Sequence, residues 1–308
     1  MNMNIAEEVI AAEKVIRPYI RETYLEYSPF YNRMTGAQVY FKLENLQHTG
    51  SFKLRGAMNK LLSLTAEEKG RGVVTASTGN HGAAFAFGLG IVKGRGVVFV
   101  PENASPAKVA VIERLGAEVR HIGTDSGETE AHARDYAEKN KMTHLPPYND
   151  VKVIGGQGTI ALELTNQLDR IDAVYVALGG GGMISGISGY LKSINPEVEI
   201  IGCSPENSQV MIQSVRAGRI LDLPSLPTLS DGTAGGVEPG SITLDFCREF
   251  VDEYMTVTES EIKDSLQEFI QAQHMLIEGS AALAVAACKK QGDRFAGKNL
   301  SLIHISEP

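Results

Sequence analysis

The feature that most constrains the fold is a repeated change of hydrophobic period. Short β-rich runs, "AQVYFKLE" (37–44), "GVVTAS" (72–77), "GVVFV" (96–100), "AEVRHIG" (117–123), "DAVYVAL" (172–178), "EVEIIGCSP" (197–205) and "LSLIHI" (300–305), alternate with segments patterned as helices. Strands separated by helices of 10 to 15 residues must return in the same direction, which predicts parallel sheets covered by helices and hence an α/β fold. The segment from Arg71 to Pro146 is dense in such strands and can close on itself as a small open sheet. The flanking runs must then pair with each other. We therefore expect a large domain from residues 1–70 and 147–308, with a small domain, 71–146, inserted in it. A chain of 308 residues that is 43% hydrophobic has the apolar material for two cores.

Charge and cysteine usage narrow the function. A net charge of -8, with no Lys/Arg run longer than two, argues against nucleic acid as a partner. Cys203, Cys247 and Cys288 are odd in number and far apart, which suits neither a disulfide framework nor a CxxC metal site and fits the reducing cytoplasm. The N-terminal "IAEEVIAAEKVI" reads as an amphipathic helix rather than a signal peptide. No run approaches the roughly 18 apolar residues of a membrane span. The expectation is a cytoplasmic protein without a membrane partner.

Three stretches carry candidate chemistry. In "AVYVALGGGGMISGISGYL" an apolar strand ends in four glycines, Gly179 to Gly182, before a helix opens at Met183. Such a bend aims several N–H groups at one point beside the positive end of a helix dipole, which cradles a phosphate. No Lys-Ser/Thr pair stands at Walker spacing, whereas a dinucleotide site stays open because Glu206 lies 24 residues beyond Gly182, near where a ribose-binding acid belongs. In "VVTASTGNHGAAF" the turn Ser77, Thr78, Gly79, Asn80, His81 precedes a helix and presents hydroxyl, amide and N–H donors suited to a carboxylate, although an ordinary N-cap turn has the same composition. In "TGSFKLRG", Lys53 sits between Phe52 and Leu54 at a helix start. A desolvated lysine has a lowered pKa and can attack a carbonyl as the neutral amine, whereas a snorkelling lysine at a helix end has no such role. A Schiff-base lysine, a phosphate cradle and a carboxylate turn together are what pyridoxal phosphate chemistry requires. The Ser/Gly/Pro-rich "LPSLPTLSDGTAGGVEPGS" (223–241) reads as a functional loop.

The stretches "KLENLQHTGSFKLRGAMN", "ASTGNHG", "GQGTIALEL", "GGGGMISG" and "EGSAALAVAA", in that order, resemble the fold-type II pyridoxal-phosphate enzymes, specifically the serine/threonine dehydratases (ammonia-lyases) and serine racemases. The resemblance covers nearly the whole chain. It implies two open twisted, mostly parallel sheets flanked by helices, with the active site between the domains and pyridoxal 5'-phosphate as cofactor. By this resemblance Lys53 would hold the cofactor covalently and act as the base at the substrate Cα, with Phe52 along one ring face. Asn80 would meet the ring's phenolic oxygen, Gly179, Gly180, Gly181 and Gly182 with Met183 would hold the phosphate, and Gly232 and Glu278 would lie beside the ring. Ser77, Thr78, Asn80 and His81, helped by Arg134, would take the substrate carboxylate. L-threonine would give 2-oxobutyrate and L-serine pyruvate, each with ammonia. The Thr78 hydroxyl is the candidate second proton donor for racemisation, where racemases carry serine and many threonine dehydratases alanine, and elimination is the favoured outcome. Relatives suggest a homo-oligomer, dimer or tetramer. The rival classes are an NAD-dependent oxidoreductase built on the glycine bend and a catalytically impaired ligand-binding member.

The sequence departs from the family pattern in three places. His48 stands where the family often has proline. Ser204 in "GCSPENSQV" replaces the first acid of a divalent-metal site found in some racemase-like members, so no metal is expected there. The ending "KNLSLIHISEP" lacks the Ser/Cys and glycine-rich turn whose side chain meets the pyridine nitrogen. His304 or Ser306 falls near that place without a fixed register, and we expect a shortened or replaced C-terminus that weakens cofactor binding or turnover. No appended regulatory domain is expected.

Overall fold

The computed structural model describes residues 4–124 and 126–304. Ten strands are present among these residues: β1 Leu25–Tyr27, β2 Gln38–Leu43, β3 Val73–Ala76, β4 Gly96–Val100, β5 Glu118–His121, β6 Thr143–His144, β7 Ala173–Ala177, β8 Glu199–Pro205, β9 Glu253–Val257 and β10 Asn299–His304. They form two sheets, one ordered β1-β2-β10-β7-β8-β9 and one ordered β5-β4-β3-β6. All pairings are parallel except β1 with β2. The chain is thus an α/β protein with two mostly parallel sheets flanked by helices, as the alternating pattern predicts.

The six-stranded sheet is closed by the end of the chain. β10 inserts between β2 and β7, pairing Asn299 with Gln38 and Leu300 with Ala173. Every residue of β7 is buried, as expected for a strand covered on both faces. The four-stranded sheet is built wholly from residues 73–144, and the apolar cluster around Val73, Phe85, Val98 and Ile112 is completed by Leu61, Leu64 and Val153 from outside it.

Two helices position the site by close backbone approach to the Val151–Gln167 helix. A Cβ at Gly156 would stand 2.5 Å from the Arg55 carbonyl, which brings the Lys53–Ser63 helix against one side. A Cβ at Gly158 would stand 2.8 Å from the Gly186 carbonyl, which brings in the Gly182–Ile194 helix on another. The "GQG" of residues 156–158 therefore fixes the separation between Lys53 and the glycine bend.

A buried ionic cluster locks the same junction. Arg55 is fully buried and donates to Glu44 Oε1 at 2.8 Å and to Glu163 Oε1 at 2.7 Å, while the Lys42 ammonium, also fully buried, donates to Glu163 Oε2 at 2.5 Å. Burial pushes the Glu163 carboxyl up, but Arg55 and Lys42 outweigh it and hold the group well below the usual carboxylate range.

Candidate active site

Lys53 is the first residue of its helix, where Ser51 Oγ accepts its backbone N–H at 3.2 Å. Its ammonium donates to the Pro147 carbonyl at 3.0 Å and lies 5.3 Å from the centroid of the Phe52 ring. Burial lowers its pKa to about 8, against the pull of Glu278 and Glu130 in the other direction. Two cavities, of about 510 and 500 Å³, meet at Phe52, Lys53 and Gly232.

The first cavity carries Gly179, Gly180, Gly181, Gly182 and Met183, at the carboxyl end of β7. Gly181 has φ +84°, a left-handed conformation that favours glycine, and begins the Gly182–Ile194 helix. The loop is packed on Tyr148: a Cβ at Gly180 would stand 2.5 Å from its ring, and one at Gly182 2.8 Å from its Cβ. Tyr148 is itself held by the Glu238 backbone N–H, which donates to its hydroxyl at 2.9 Å.

The second cavity carries Thr78, Gly79, Asn80, His81 and Glu278, at the carboxyl end of β3. Asn80 Nδ2 donates to Glu278 Oε2 at 3.4 Å, joining the turn to the buried carboxylate from the other sheet's side of the molecule. Gly232 adjoins both, since a Cβ there would lie 2.8 Å from Ser280 Oγ and 3.5 Å from Glu278 Oε1.

Three of the expected carboxylate contacts are arranged differently from the sequence reading. Ser77 lines neither cavity, and its Oγ accepts the Gly79 N–H at 3.2 Å within the turn. The His81 ring is turned to the Leu145 carbonyl, 3.2 Å from Nε2, and Nδ1 is closed off from solvent without a partner. Burial, with Lys53 second, lowers its pKa to about 3, so the ring is neutral. A carbonyl only accepts, so the proton is on Nε2 and the ring offers a carboxylate no donor; the donor that His81 has left to present is its first-turn N–H. Arg134 lines the first cavity rather than the second, and its guanidinium donates to Glu238 Oε2 at 2.5 Å.

Sequence reasoning did not single out Pro147, Tyr148, Glu130 or Glu238. Only Glu238 carried a signal, through the Gly/Pro-rich loop 223–241. Of the rival features, Glu206 is exposed and lines neither cavity, while Ser204 Oγ donates to the Leu178 carbonyl at 2.7 Å. His304 ends β10 in register with Leu43, and Ser306 lies outside the described residues.

Comparison with known proteins decides the family, because residues 16–306 match the model of the pyridoxal-phosphate dependent enzymes. The chain belongs to this family. This pyridoxal-phosphate enzyme is 39% identical to an L-threonine ammonia-lyase of Thermotoga maritima, over 96% of the chain and 74% of that protein. It is 36% identical to a catabolic L-threonine dehydratase of Escherichia coli, over 98% of the chain and 94% of the relative. Among solved structures, maize serine racemase superposes with a TM-score of 0.92 at 30% identity, covering 98% of this chain and 92% of that one.

The residues present fit the cofactor. The N–H groups of Gly180, Gly181 and Gly182 find no acceptor among the described residues and adjoin a helix N-terminus, a ready site for a phosphate. In the same cavity stands Lys53, an amine of lowered pKa that can engage an aldehyde.

Proposed function

We propose that the chain is an ammonia-lyase for β-hydroxy amino acids, converting L-threonine to 2-oxobutyrate or L-serine to pyruvate with release of ammonia. One observation carries this reading: Lys53, an amine of depressed basicity, stands where a glycine loop of unpaired N–H groups and a donor-rich turn open onto the same side chain. The named activities of the Thermotoga and Escherichia relatives support it.

When bound, pyridoxal phosphate supplies a conjugated electron sink for the electron pair left behind when a proton is taken from a substrate carbon. Gly179 to Gly182 and Met183 would hold its phosphate through main-chain N–H groups. Phe52, Asn80, Gly232 and Glu278 would stand beside its ring. Lys53 takes the Cα proton. Burial lowers the pKa of this amine to about 8, so more of it is neutral and able to accept a proton near neutral pH than of an ordinary lysine. The Thr78 hydroxyl, the Asn80 amide and the first-turn N–H groups at Asn80 and His81 hold the carboxylate. Loss of the Cα proton and of the β-hydroxyl as water leaves an unsaturated amine, which hydrolyses to the 2-oxo acid and ammonia.

The Thr78 hydroxyl shares the second cavity with Lys53, and this favours racemisation as a second activity of the same site. Three buried, unbridged cysteines support a cytoplasmic setting, and we place the enzyme there as a homo-oligomer. The test of the main reading is a 2-oxo acid and ammonia assay with L-threonine and L-serine. Stoichiometric release of both products is expected. No product from protein whose visible absorbance shows bound cofactor overturns it.

A further inference from the structure

We propose that three buried hydroxyls, those of Ser204, Thr243 and Ser185, are positioning residues for the cofactor phosphate. Each holds one carbonyl of the Leu178–Gly182 bend away from the first cavity and so turns the next N–H into it. The proposal rests on the bend being the phosphate site, and it holds for any substrate.

A trans peptide unit is planar, with its C=O and N–H pointing in opposite directions, so whatever fixes a carbonyl also aims the N–H of the following residue. No cis peptide bond occurs among the described residues. Ser204 Oγ donates to the Leu178 carbonyl at 2.7 Å, Thr243 Oγ1 to the Gly180 carbonyl at 2.7 Å, and Ser185 Oγ to the Gly181 carbonyl at 2.6 Å. The N–H groups opposite these carbonyls belong to Gly179, Gly181 and Gly182, and all three glycines line the first cavity. Ser204, Thr243 and Ser185 do not line it, and each is buried. They grip the bend from behind, out of β8, the Thr243–Phe250 helix and the Gly182–Ile194 helix. A carbonyl turned inward would set the negative end of its dipole against the phosphate oxygens.

Two of these donors replace ones that the backbone does not supply. The Leu178 N–H donates to the Cys203 carbonyl at 2.7 Å, and the parallel register then assigns the Leu178 carbonyl to the N–H of residue 205. That residue is Pro205, which has no N–H, and the Ser204 hydroxyl stands in for it. The Gly180 carbonyl precedes the first bond of the Gly182–Ile194 helix and takes its donor from Thr243. A hydroxyl has one proton to give, so Ser241 Oγ, 2.7 Å from Thr243 Oγ1, is the donor in that second contact and holds the threonine in place. Ser185 makes the usual bond of a helical serine to the carbonyl four residues back, which its own N–H also reaches at 3.0 Å. Ser204 and Thr243 are therefore the two whose loss the backbone does not cover.

The test titrates the full chain, freed of cofactor, with pyridoxal phosphate and with pyridoxal, which keeps the aldehyde and lacks the phosphate; absorbance reports Kd. No substrate is present, so the outcome is independent of the ammonia-lyase reading. Ser204→Ala and Thr243→Val should each weaken pyridoxal phosphate about 10-fold and leave pyridoxal within about 2-fold of the wild type. Thr243→Ser keeps the hydroxyl and should restore pyridoxal phosphate to within about 2-fold. An equal loss for both ligands would mark a general loosening of the pocket and overturn the proposal, as would no loss in either variant. The two substitutions lie on different elements, so the variant that folds decides if the other does not. Gly180→Ala separates this proposal from the phosphate-site reading beneath it. If that variant loses pyridoxal phosphate selectively and the hydroxyl variants do not, only the hydroxyl proposal falls. If the wild type binds the two ligands equally, both fall.

Discussion

Replacing Lys53 by methionine isolates the physical term on which the proposed chemistry depends. In the cofactor-free protein the amine has a pKa of about 8, against 10.5 for the unfolded chain. The folded state binds the proton less tightly, so the charged amine opposes folding. That cost is fully present below pH 8 and fades as pH rises toward 10.5. Its size is about 3 kcal/mol at pH 7 and about 1 kcal/mol at pH 9.5, from 1.36 kcal/mol per unit. Methionine fills similar space without charge but gives up the hydrogen bond to the Pro147 carbonyl, worth about 1 kcal/mol. Lys53→Met should therefore stabilise the cofactor-free protein by about 2 kcal/mol at pH 7 and by about nothing at pH 9.5. Urea unfolding of both proteins at the two pH values, read by circular dichroism, measures the difference. A variant less stable than the wild type at pH 7, or a difference that does not change with pH, would show that the amine is well hydrated, and the argument for its reactivity would fail.

Other consequences are open to the same kind of check. Glu163→Gln leaves Arg55 and Lys42 buried with one carboxylate fewer and should cost about 3–5 kcal/mol in denaturant titrations, whereas an exposed pair such as Arg71 with Glu67 should cost under about 1. Because the Glu163 carboxyl is held below its unfolded value, its contribution is present above the ordinary glutamate pKa and is lost as pH falls through the folded one; acid unfolding monitored by fluorescence should be blunted in Glu163→Gln. Gly180→Ala drives a Cβ to 2.5 Å from the Tyr148 ring and should weaken cofactor binding by about 10-fold or more while the far-ultraviolet spectrum is retained; unchanged affinity in an absorbance titration would remove the glycine loop from the phosphate site. Thr78→Ala should abolish exchange of the Cα proton to the opposite hand, followed by chiral chromatography, and lower 2-oxo acid release by a smaller factor.

Legibility differed from element to element. Strands with continuous apolar runs, such as β4 and β7, stood out because burial on both faces leaves no polar positions. β9, "EYMTV", was not singled out because it carries a mixed surface at the sheet edge, and the two-residue β6 is too short for any period. Lys53, Asn80 and the four glycines were legible since each type answers a local chemical demand. Tyr148, Glu130 and Glu238 were not, since nothing near them in the chain distinguishes a tyrosine packed beneath a loop or a carboxylate that lines a cavity.

What the sequence determined by itself is therefore local: the helix and strand periods, the glycine bend that leaves N–H groups free, and a lysine between apolar neighbours at a helix start. These follow from steric freedom and side-chain chemistry within a few residues. Which of these groups meet was decided only by the tertiary structure. The Gly156 and Gly158 contacts set the spacing of Lys53 from the glycine loop, the turn after β3 came to face Glu278 across nearly 200 residues of chain, and Arg134 came to pair with Glu238 across 104 residues. Desolvation and charge pairing depend on distances in space, and no local pattern of residues encodes them.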